Sequence, residues 1–178
     1  RTEFDDMQGF EWAKESVDEL VKRKIVSGTG NNKYAPEGYV TREQFIKMAV
    51  LAFEKYDSNA KCEFSDVSSD DWYYPFVASA VNAGIISGMG DNLFGSGNAI
   101  AREDMAVIIN RILAYQTDKT AGFNDVDNIS DYAAGAVNAL YENKILSGDE
   151  NGNFNPKSSA TRAETAVVIM RVINALES

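Results

Sequence analysis

The sequence predicts an all-α domain built from three helix-loop-helix repeats with approximate threefold symmetry. Three observations lead to this prediction. Residues of the same type recur at a spacing of 60 along the 178-residue chain. Within each copy, apolar residues recur with the period of a helix, and turn-rich segments separate the apolar stretches. Two of the copies carry a helix-capping sequence at the corresponding position.

Two elements define the repeat, an arginine and a Ser-Gly pair. The arginines are Arg42, Arg102 and Arg162, and the pairs are Ser27-Gly28, Ser87-Gly88 and Ser147-Gly148. We predict repeats at residues 1–60, 61–120 and 121–178. Their second helices are apolar nearly all round, so one copy cannot bury its own apolar surface. The three copies are therefore expected to form a single domain, 1–178.

The first helix of each copy is expected to run from an aromatic residue to the isoleucine before Ser-Gly. In the first copy Ala13, Val17 and Leu20 follow one helical face. The glycine after the serine is predicted to end the helix as a left-handed cap. A turn-rich loop follows, and one aromatic residue in it is expected to hold the loop against the core: Tyr34, Phe94 or Phe154.

The second helix is expected to begin after a threonine cap. Thr41-Arg42-Glu43-Gln44 and Thr161-Arg162-Ala163-Glu164 fit the capping box, in which the first and fourth residues exchange hydrogen bonds. The second copy has Ala101 at the cap position, and its first turn is predicted to be less stable by about 1 kcal/mol.

The composition excludes several classes of protein. A net charge of −10 disfavours binding to nucleic acid. The absence of histidine removes the commonest general base and zinc ligand, and Cys62 alone forms no disulfide within the chain. We predict no metal and no cofactor. No apolar run approaches the roughly 18 residues of a membrane span. A chain that begins at Arg1 without methionine suggests a piece of a longer protein.

The repeated arginine is the most informative candidate site residue. It follows the cap at a helix N-terminus, where a cation is mildly unfavourable. A bound anion is one explanation, because free backbone N–H groups and a guanidinium would converge on it. The other explanation is an internal salt bridge to Asp6, Asp66 and Asp125 in the three copies. The two explanations are compatible, and the sequence leaves both open.

Two further sets of residues have a structural and a functional interpretation. Ser-Gly either ends a helix or offers a hydroxyl and an unhindered N–H to a polar ligand. The second set consists of the aromatic residues at the starts of the first helices, Trp12, Trp72 and Tyr132. These residues are either core anchors or a face on which a sugar ring stacks. Distinctive groups in triplicate suit multivalent binding better than catalysis.

The repeated motifs and their order along the chain resemble a tandem of three S-layer homology motifs. The resemblance covers essentially the whole chain. The resemblance rests on the F-x-D-V opening that begins at Phe4, Phe64 and Phe123, the I-x-S-G break that begins at Ile25, Ile85 and Ile145, and the T-R-A-E element. The last is intact at Thr161-Arg162-Ala163-Glu164 and altered at Ala101-Arg102-Glu103-Asp104 and Thr41-Arg42-Glu43-Gln44. The resemblance implies a pseudo-threefold helical domain with grooves between neighbouring repeats.

The resemblance also implies a function. The domain would anchor an extracellular protein to the secondary cell wall polysaccharide of a Gram-positive-type bacterium. The anchored protein would be part of the same longer chain. The implied ligand carries pyruvate ketals on an N-acetylmannosamine-type sugar. The arginines would pair with the ketal carboxylate, the Ser-Gly pairs would donate hydrogen bonds, and the aromatic residues would shape the groove. No membrane, nucleic acid or enzymatic role is implied.

The sequence leaves two other classes of function open. One is a helical module that binds protein rather than glycan, with purely structural arginines. The other is a carbohydrate-active enzyme with an acidic pair. The departures from the family pattern also bear on the site: Ala101 lacks the threonine hydroxyl, and Asp149-Glu150 place negative charge after Ser147-Gly148. One groove is therefore expected to dominate, although the sequence does not indicate which.

Overall fold

The computed structural model describes residues 3–178, and these residues form six α-helices and one short 3-10 turn. The first two residues of the first predicted repeat lie outside this range. Each copy contributes two helices, as the sequence predicts. The elements are α1 (Glu11–Lys22), α2 (Arg42–Ala52), α3 (Tyr74–Asn82), α4 (Arg102–Leu113), the 3-10 turn Val126–Asn128, α5 (Asp131–Glu142) and α6 (Arg162–Glu177).

The first helix of each copy ends earlier than the sequence predicts. Helix α1 stops at Lys22, and Lys24 adopts a left-handed conformation with φ of 61°. The Ile25 N–H donates to the Leu20 carbonyl at 2.9 Å, which closes a Schellman motif. Gly84 and Lys144 occupy the left-handed position in the other two copies. The expected glycine cap within Ser-Gly is therefore wrong, because the pair lies in the loop beyond the helix end.

The first helix of each copy packs against the second helix of the preceding copy. Helix α3 packs against α2, and α5 packs against α4. Helix α1 has no preceding copy and packs against α6 of the third copy. The three copies therefore close into a ring, and each interface between copies joins helices that are distant within one repeat.

A triangle of backbone hydrogen bonds lies where the three copies meet. The Val40 N–H donates to the Ala160 carbonyl at 3.1 Å, Ala160 donates to Ile100 at 3.0 Å, and Ile100 donates to Val40 at 2.8 Å. These three residues immediately precede the caps of the second helices and are fully buried. Each copy satisfies a buried backbone group of another copy, so the triangle fixes the second helices around the pseudo-threefold axis.

The predicted caps and loop anchors are confirmed. Thr41 and Thr161 each form a complete capping box, whereas Ala101 caps nothing. The loop aromatic residues are essentially buried in all three copies and pack against the phenylalanine of the F-x-D-V opening. The ring centres lie 5.5, 5.9 and 5.2 Å apart in Phe4–Tyr34, Phe64–Phe94 and Phe123–Phe154.

Candidate functional site

Each repeated arginine reaches across to the loop of the next copy. Its Nε donates to the backbone carbonyl of the buried loop aromatic residue, and its guanidinium lies over that ring. The N···O distances are 2.9 Å for Arg42–Phe94, 2.7 Å for Arg102–Phe154 and 2.7 Å for Arg162–Tyr34. The guanidinium carbon lies 5.3, 5.1 and 4.4 Å from the ring centre in the same order.

The salt bridge expected between the arginines and the upstream aspartates is wrong. The Asp66 carboxylate instead accepts the backbone N–H groups of Phe94 and Gly95 at 2.8 and 2.7 Å. Burial would raise the pKa of Asp66, but these backbone hydrogen bonds outweigh it and lower the pKa. Asp6 and Asp125 hold the loops of the first and third copies in the same way. The aspartate of each copy therefore accepts backbone N–H groups of the loop, whereas the arginine of the preceding copy in the ring donates to a backbone carbonyl of the same loop.

The backbone N–H groups expected to be free at the helix N-termini are already paired. The Arg102 N–H donates to the Ser158 carbonyl at 2.9 Å, and the Arg162 N–H donates to Gly38 at 2.8 Å. The following residues of α4 and α6 donate to Pro156 and Pro36. Loop carbonyls of another copy therefore occupy the position predicted for an external anion. A ligand at this site would meet the guanidinium rather than the helix amides.

The outer side of two arginines faces a carboxylate from the next copy. Arg42 Nη1 lies 3.8 Å from Asp104, and Arg102 Nη1 lies 2.5 Å from Glu164. Both acids are the third residue of a second helix, and the corresponding residue in the first copy is the neutral Gln44. Within residues 3–178, no carboxylate lies within 4 Å of the Arg162 guanidinium, which donates to the carbonyls of Tyr34 and Ser27.

A cavity of about 310 Å³ brings predicted site residues of all three copies together. Arg42 comes from the first copy, Ser87 and Gly88 from the second, and Tyr132 from the third. We call this the Arg42 groove. Asp104, Arg111, Met89 and three aliphatic residues of the second copy complete its lining.

The pseudo-threefold relation defines two further grooves from the other predicted residues. By this relation we name the equivalent set Arg102, Ser147-Gly148 and Trp12 the Arg102 groove, and the set Arg162, Ser27-Gly28 and Trp72 the Arg162 groove. In the second of these, Arg162 Nη2 donates to the Ser27 carbonyl at 2.9 Å. Lys47 Nζ lies 5.7 Å from the Trp72 ring centre.

The glycine of each Ser-Gly pair is explained by close packing. A Cβ on Gly28 would lie 2.6 Å from Phe4 Cε1 and 2.7 Å from the Lys33 carbonyl oxygen. The corresponding contact is 2.8 Å for Gly88 against Phe64 and 3.2 Å for Gly148 against its phenylalanine. The glycines therefore let the loop pass close to the F-x-D-V phenylalanine. The serine of each pair lies next to the glycine, at the groove.

The aromatic residues predicted for the grooves are not core anchors. Trp12, Trp72 and Tyr132 are 56%, 55% and 65% exposed. Trp12 and Tyr132 are the second residues of α1 and α5, whereas Trp72 precedes α3, which begins at Tyr74 with a proline in its first turn. Burial and the hydrogen bond donated to Asp104 at 2.5 Å raise the pKa of Tyr132. More than half of the surface of each aromatic residue is therefore exposed.

Two groove arginines were absent from the sequence prediction. Arg111 Nη1 donates to the Ile85 carbonyl at 2.9 Å, and Arg171 Nη1 donates to Ile145 at 3.1 Å and to Ser147 Oγ at 3.4 Å. They are 60 residues apart, so the spacing of the repeat is the sequence feature that could identify them. The first copy has Leu51 at this position, and this break in the pattern hides the signal.

The described part of the chain offers few other chemical centres. Residues 3–178 contain no group of metal-ligating side chains able to hold an ion. Glu103 is buried and accepts hydrogen bonds from Ser130 and Lys157, which joins the second copy to the third. Burial would raise the pKa of Glu103, but Lys157 and Ser130 outweigh it and lower the pKa. No helix within residues 3–178 is long and apolar enough to cross a membrane.

The fold and the grooves define a class of protein, an all-α repeat domain closed into a ring with grooves between its copies. A family model for the S-layer homology domain matches three segments, residues 3–46, 63–106 and 122–166. The chain belongs to the S-layer homology domain family. Each match lies inside one of the three predicted repeats.

The chain is similar to segments of several much longer proteins. An amylopullulanase of Thermoanaerobacterium thermosulfurigenes is 37% identical over 164 residues, which cover 89% of this chain and 9% of the relative. The exoglucanase XynX of Acetivibrio thermocellus is 35% identical over 89% of this chain and 15% of the relative. A surface-layer 125 kDa protein of Lysinibacillus sphaericus is 27% identical over 99% of this chain and 15% of the relative.

The chain thus spans less than a fifth of the length of these relatives. What is shared between an S-layer protein and two enzymes is the S-layer homology segment. This distribution is consistent with a module for cell-wall anchoring.

Proposed function

We propose that this domain anchors an attached extracellular protein to the bacterial cell wall by binding an anionic, pyruvylated secondary cell wall polysaccharide. The anchoring unit is one domain of residues 1–178, assembled from the repeats 1–60, 61–120 and 121–178. The grooves bind the glycan non-covalently, and the chemistry is recognition rather than catalysis.

The observation that carries the proposal is the composition of the Arg42 groove. It places a guanidinium, a Ser-Gly pair and an exposed aromatic ring around one cavity, and each comes from a different copy. A guanidinium pairs with a carboxylate, a hydroxyl donates to sugar oxygens, and an aromatic face contacts the C–H face of a pyranose. A pyruvylated sugar presents all three of these partners.

The charge distribution supports an anionic ligand despite the net charge of −10. The groove contains two arginines, Arg42 and Arg111, and one aspartate, Asp104. Screening limits the influence of distant surface charges to about 10 Å at moderate ionic strength. A carboxylate in the groove therefore responds to the local arginines and not to the acidic surface as a whole.

Binding to isolated cell wall tests the proposal. Purified wall carrying its secondary polysaccharide should retain the domain during sedimentation. Wall from which the pyruvate ketals have been removed should retain at least tenfold less, because the partner of the arginines is lost. Ketal-independent retention would contradict the arginine–carboxylate mechanism. Retention through a wall protein would favour the protein-binding alternative, and release of reducing sugar would favour an enzyme.

Arginine variants separate binding from folding. Arg42→Lys keeps the positive charge and loses the forked geometry, so wall binding should weaken while the helical circular dichroism is retained. Arg23→Ala is the matched control, since Arg23 pairs with Glu19 and Glu177 on the outer surface and lines no Ser-Gly groove. The control should bind wall like the unchanged domain. Equal binding by both variants would contradict a role for Arg42 in the groove.

A further inference from the structure

We propose that the Arg162 groove is the primary anion site and that the third residue of each second helix sets the order of the three grooves. This inference rests on the function proposed above, because it concerns the distribution of the same ligand among the grooves. The position in question is occupied by Gln44, Asp104 and Glu164 in the three copies.

An acid at this position acts as an internal competitor for the arginine. Glu164 lies 2.5 Å from Arg102 Nη1 and keeps its capping hydrogen bond with Thr161 at the same time. Asp104 lies 3.8 Å from Arg42 Nη1 and accepts the Tyr132 hydroxyl at 2.5 Å. A ligand carboxylate entering either groove therefore meets a carboxylate of the protein on the guanidinium that it needs.

The Arg162 groove lacks this competitor. Gln44 is neutral, and its side-chain carbonyl accepts the Thr41 N–H at 3.0 Å as part of the capping box. Arg162 is bound by two backbone carbonyls, which orient the guanidinium and leave its positive charge uncompensated by any acid of residues 3–178 within 4 Å. An anion gains the full interaction with an arginine that is already oriented.

A second observation points to the same groove. Lys47 Nζ lies 5.7 Å from the ring centre of Trp72, which places a second cation beside the aromatic residue of the Arg162 groove. The corresponding residues in the other two copies are Val107 and Val167. The lysine lies on the same helix as Gln44, so both departures from the other copies raise the positive charge of one groove.

The balance of local charges predicts the order of the grooves. The Arg162 groove contains two cations, Arg162 and Lys47, and no acid at the third helix position. The Arg42 groove contains two arginines and Asp104. The Arg102 groove contains two arginines against two acids, Glu164 and Asp149, and the charge of Arg102 is among the factors that lower the pKa of Asp149, after its hydrogen bonds. Affinity for an anion should fall in this sequence.

The two tryptophans allow the first and the last groove of this order to be compared directly, because the chain has no other tryptophan. Trp72 reports on the Arg162 groove and Trp12 on the Arg102 groove. Titration of the ¹⁵N-labelled domain with the pyruvate ketal of an N-acetylmannosamine glycoside should shift the indole N–H signal of Trp72 at the lower ligand concentration. Trp12→Phe and Trp72→Phe assign the two signals.

Charge changes at the deciding position provide the second test. Gln44→Glu keeps the capping box, because Glu serves in the same box at Thr161, and should weaken binding at Trp72 about fivefold. Glu164→Gln removes the competitor and should strengthen binding at Trp12 about fivefold. Asn59→Asp is the matched control. It adds the same charge in the connector beyond the far end of α2 and should leave both signals unchanged.

The outcomes separate this inference from the proposed function. Binding that shifts Trp12 first, or that is unaffected by Gln44→Glu and Glu164→Gln, would overturn the order of the grooves and leave anchoring intact. An absence of any shift, with no retention on pyruvylated wall, would overturn the proposed function itself. Circular dichroism of each variant confirms that the fold is retained, and if Gln44→Glu unfolds, Glu164→Gln decides.

Discussion

The repeated arginines have a structural role in addition to the proposed binding role. The side chain is anchored through Nε and by stacking on a buried ring, so its Nη atoms are held in one place. A ligand would then bind a group whose side-chain entropy has already been lost on folding. The same anchoring means that removal of the whole side chain affects stability as well as binding. This is why the lysine substitution is the more informative variant.

Glycine at the Ser-Gly position is expected to be essential for packing. Gly28→Ala should lower the free energy of unfolding by about 1–3 kcal/mol, because its Cβ would lie 2.6 Å from Phe4. Gly135→Ala, in α5 with no atom within 4 Å of the new Cβ, should instead stabilise by about 0.5–1 kcal/mol. Urea unfolding measures both. Equal effects of the two substitutions would contradict the packing explanation.

The carboxylate of Asp66 makes the stability of the domain depend on pH. The pKa of Asp66 is lowered from 3.8 in the folded state, since its backbone hydrogen bonds outweigh the opposing effect of burial. Its contribution is therefore fully present above pH 4 and is lost as the pH falls through the lower folded pKa. Asp66→Asn should destabilise by about 2 kcal/mol at pH 7 and flatten the pH dependence of urea unfolding below about pH 4.

The matched control for this pH dependence is Asp91→Asn. Asp91 is an exposed residue of the same loop with φ of 50°, a conformation that asparagine adopts readily. The control should keep both the stability at pH 7 and the pH dependence. A flat profile in the unchanged domain would show that Asp66 does not hold the loop.

At the scale of the element, the caps of the second helices differ among otherwise equivalent copies. Ala101 has the extended backbone of a cap, with φ of −73° and ψ of 147°, but no side chain that accepts a hydrogen bond. Ala101→Thr should therefore stabilise the domain by about 1 kcal/mol, which corresponds to a rise in Tm of about 2–4 °C. Thr161→Ala should produce the opposite change of similar size. Differential scanning calorimetry compares the two.

Elements governed by local chemistry could be predicted from the sequence. The capping boxes, the buried loop aromatic residues and the six helices depend on residues close together in the chain. The end of α1 could not be predicted, because Lys24 takes a left-handed conformation that is usual for glycine. The partners of Arg42 and Asp66 depend on how copies are arranged in space. Spacing identified these residues as a set but did not identify what each one contacts.

At the scale of the whole molecule, the grooves exist because the copies close into a ring. Arg42, Ser87 and Tyr132 belong to three different copies and meet only in the assembled domain. The same holds for the axial triangle, in which each backbone group is satisfied by another copy. Folding and formation of the proposed binding sites are therefore one event, and a single repeat has neither a complete core nor a complete groove.

Removal of the third repeat tests this dependence. A polypeptide of residues 1–120 loses α6, the packing partner of α1, and α5, the packing partner of α4. It also leaves the Val40 N–H and the Ile100 carbonyl of the axial triangle without their partner. Because unpaired buried backbone groups and an exposed apolar helix are both costly, we expect this polypeptide to lack a cooperative thermal transition in circular dichroism and to bind no wall.

Addition of the missing repeat as a separate polypeptide provides the control. Residues 121–178 mixed with residues 1–120 can restore every contact of the ring except the covalent link at the connector. Helical signal and wall binding should then return together and depend on the concentration of both polypeptides, because the ring is now closed by association. A polypeptide of residues 1–120 that melts cooperatively within a few degrees of the full chain would contradict closure as the source of stability. Independent repeats would each form their own core, whereas in the ring each pair of packed first and second helices comes from two different copies.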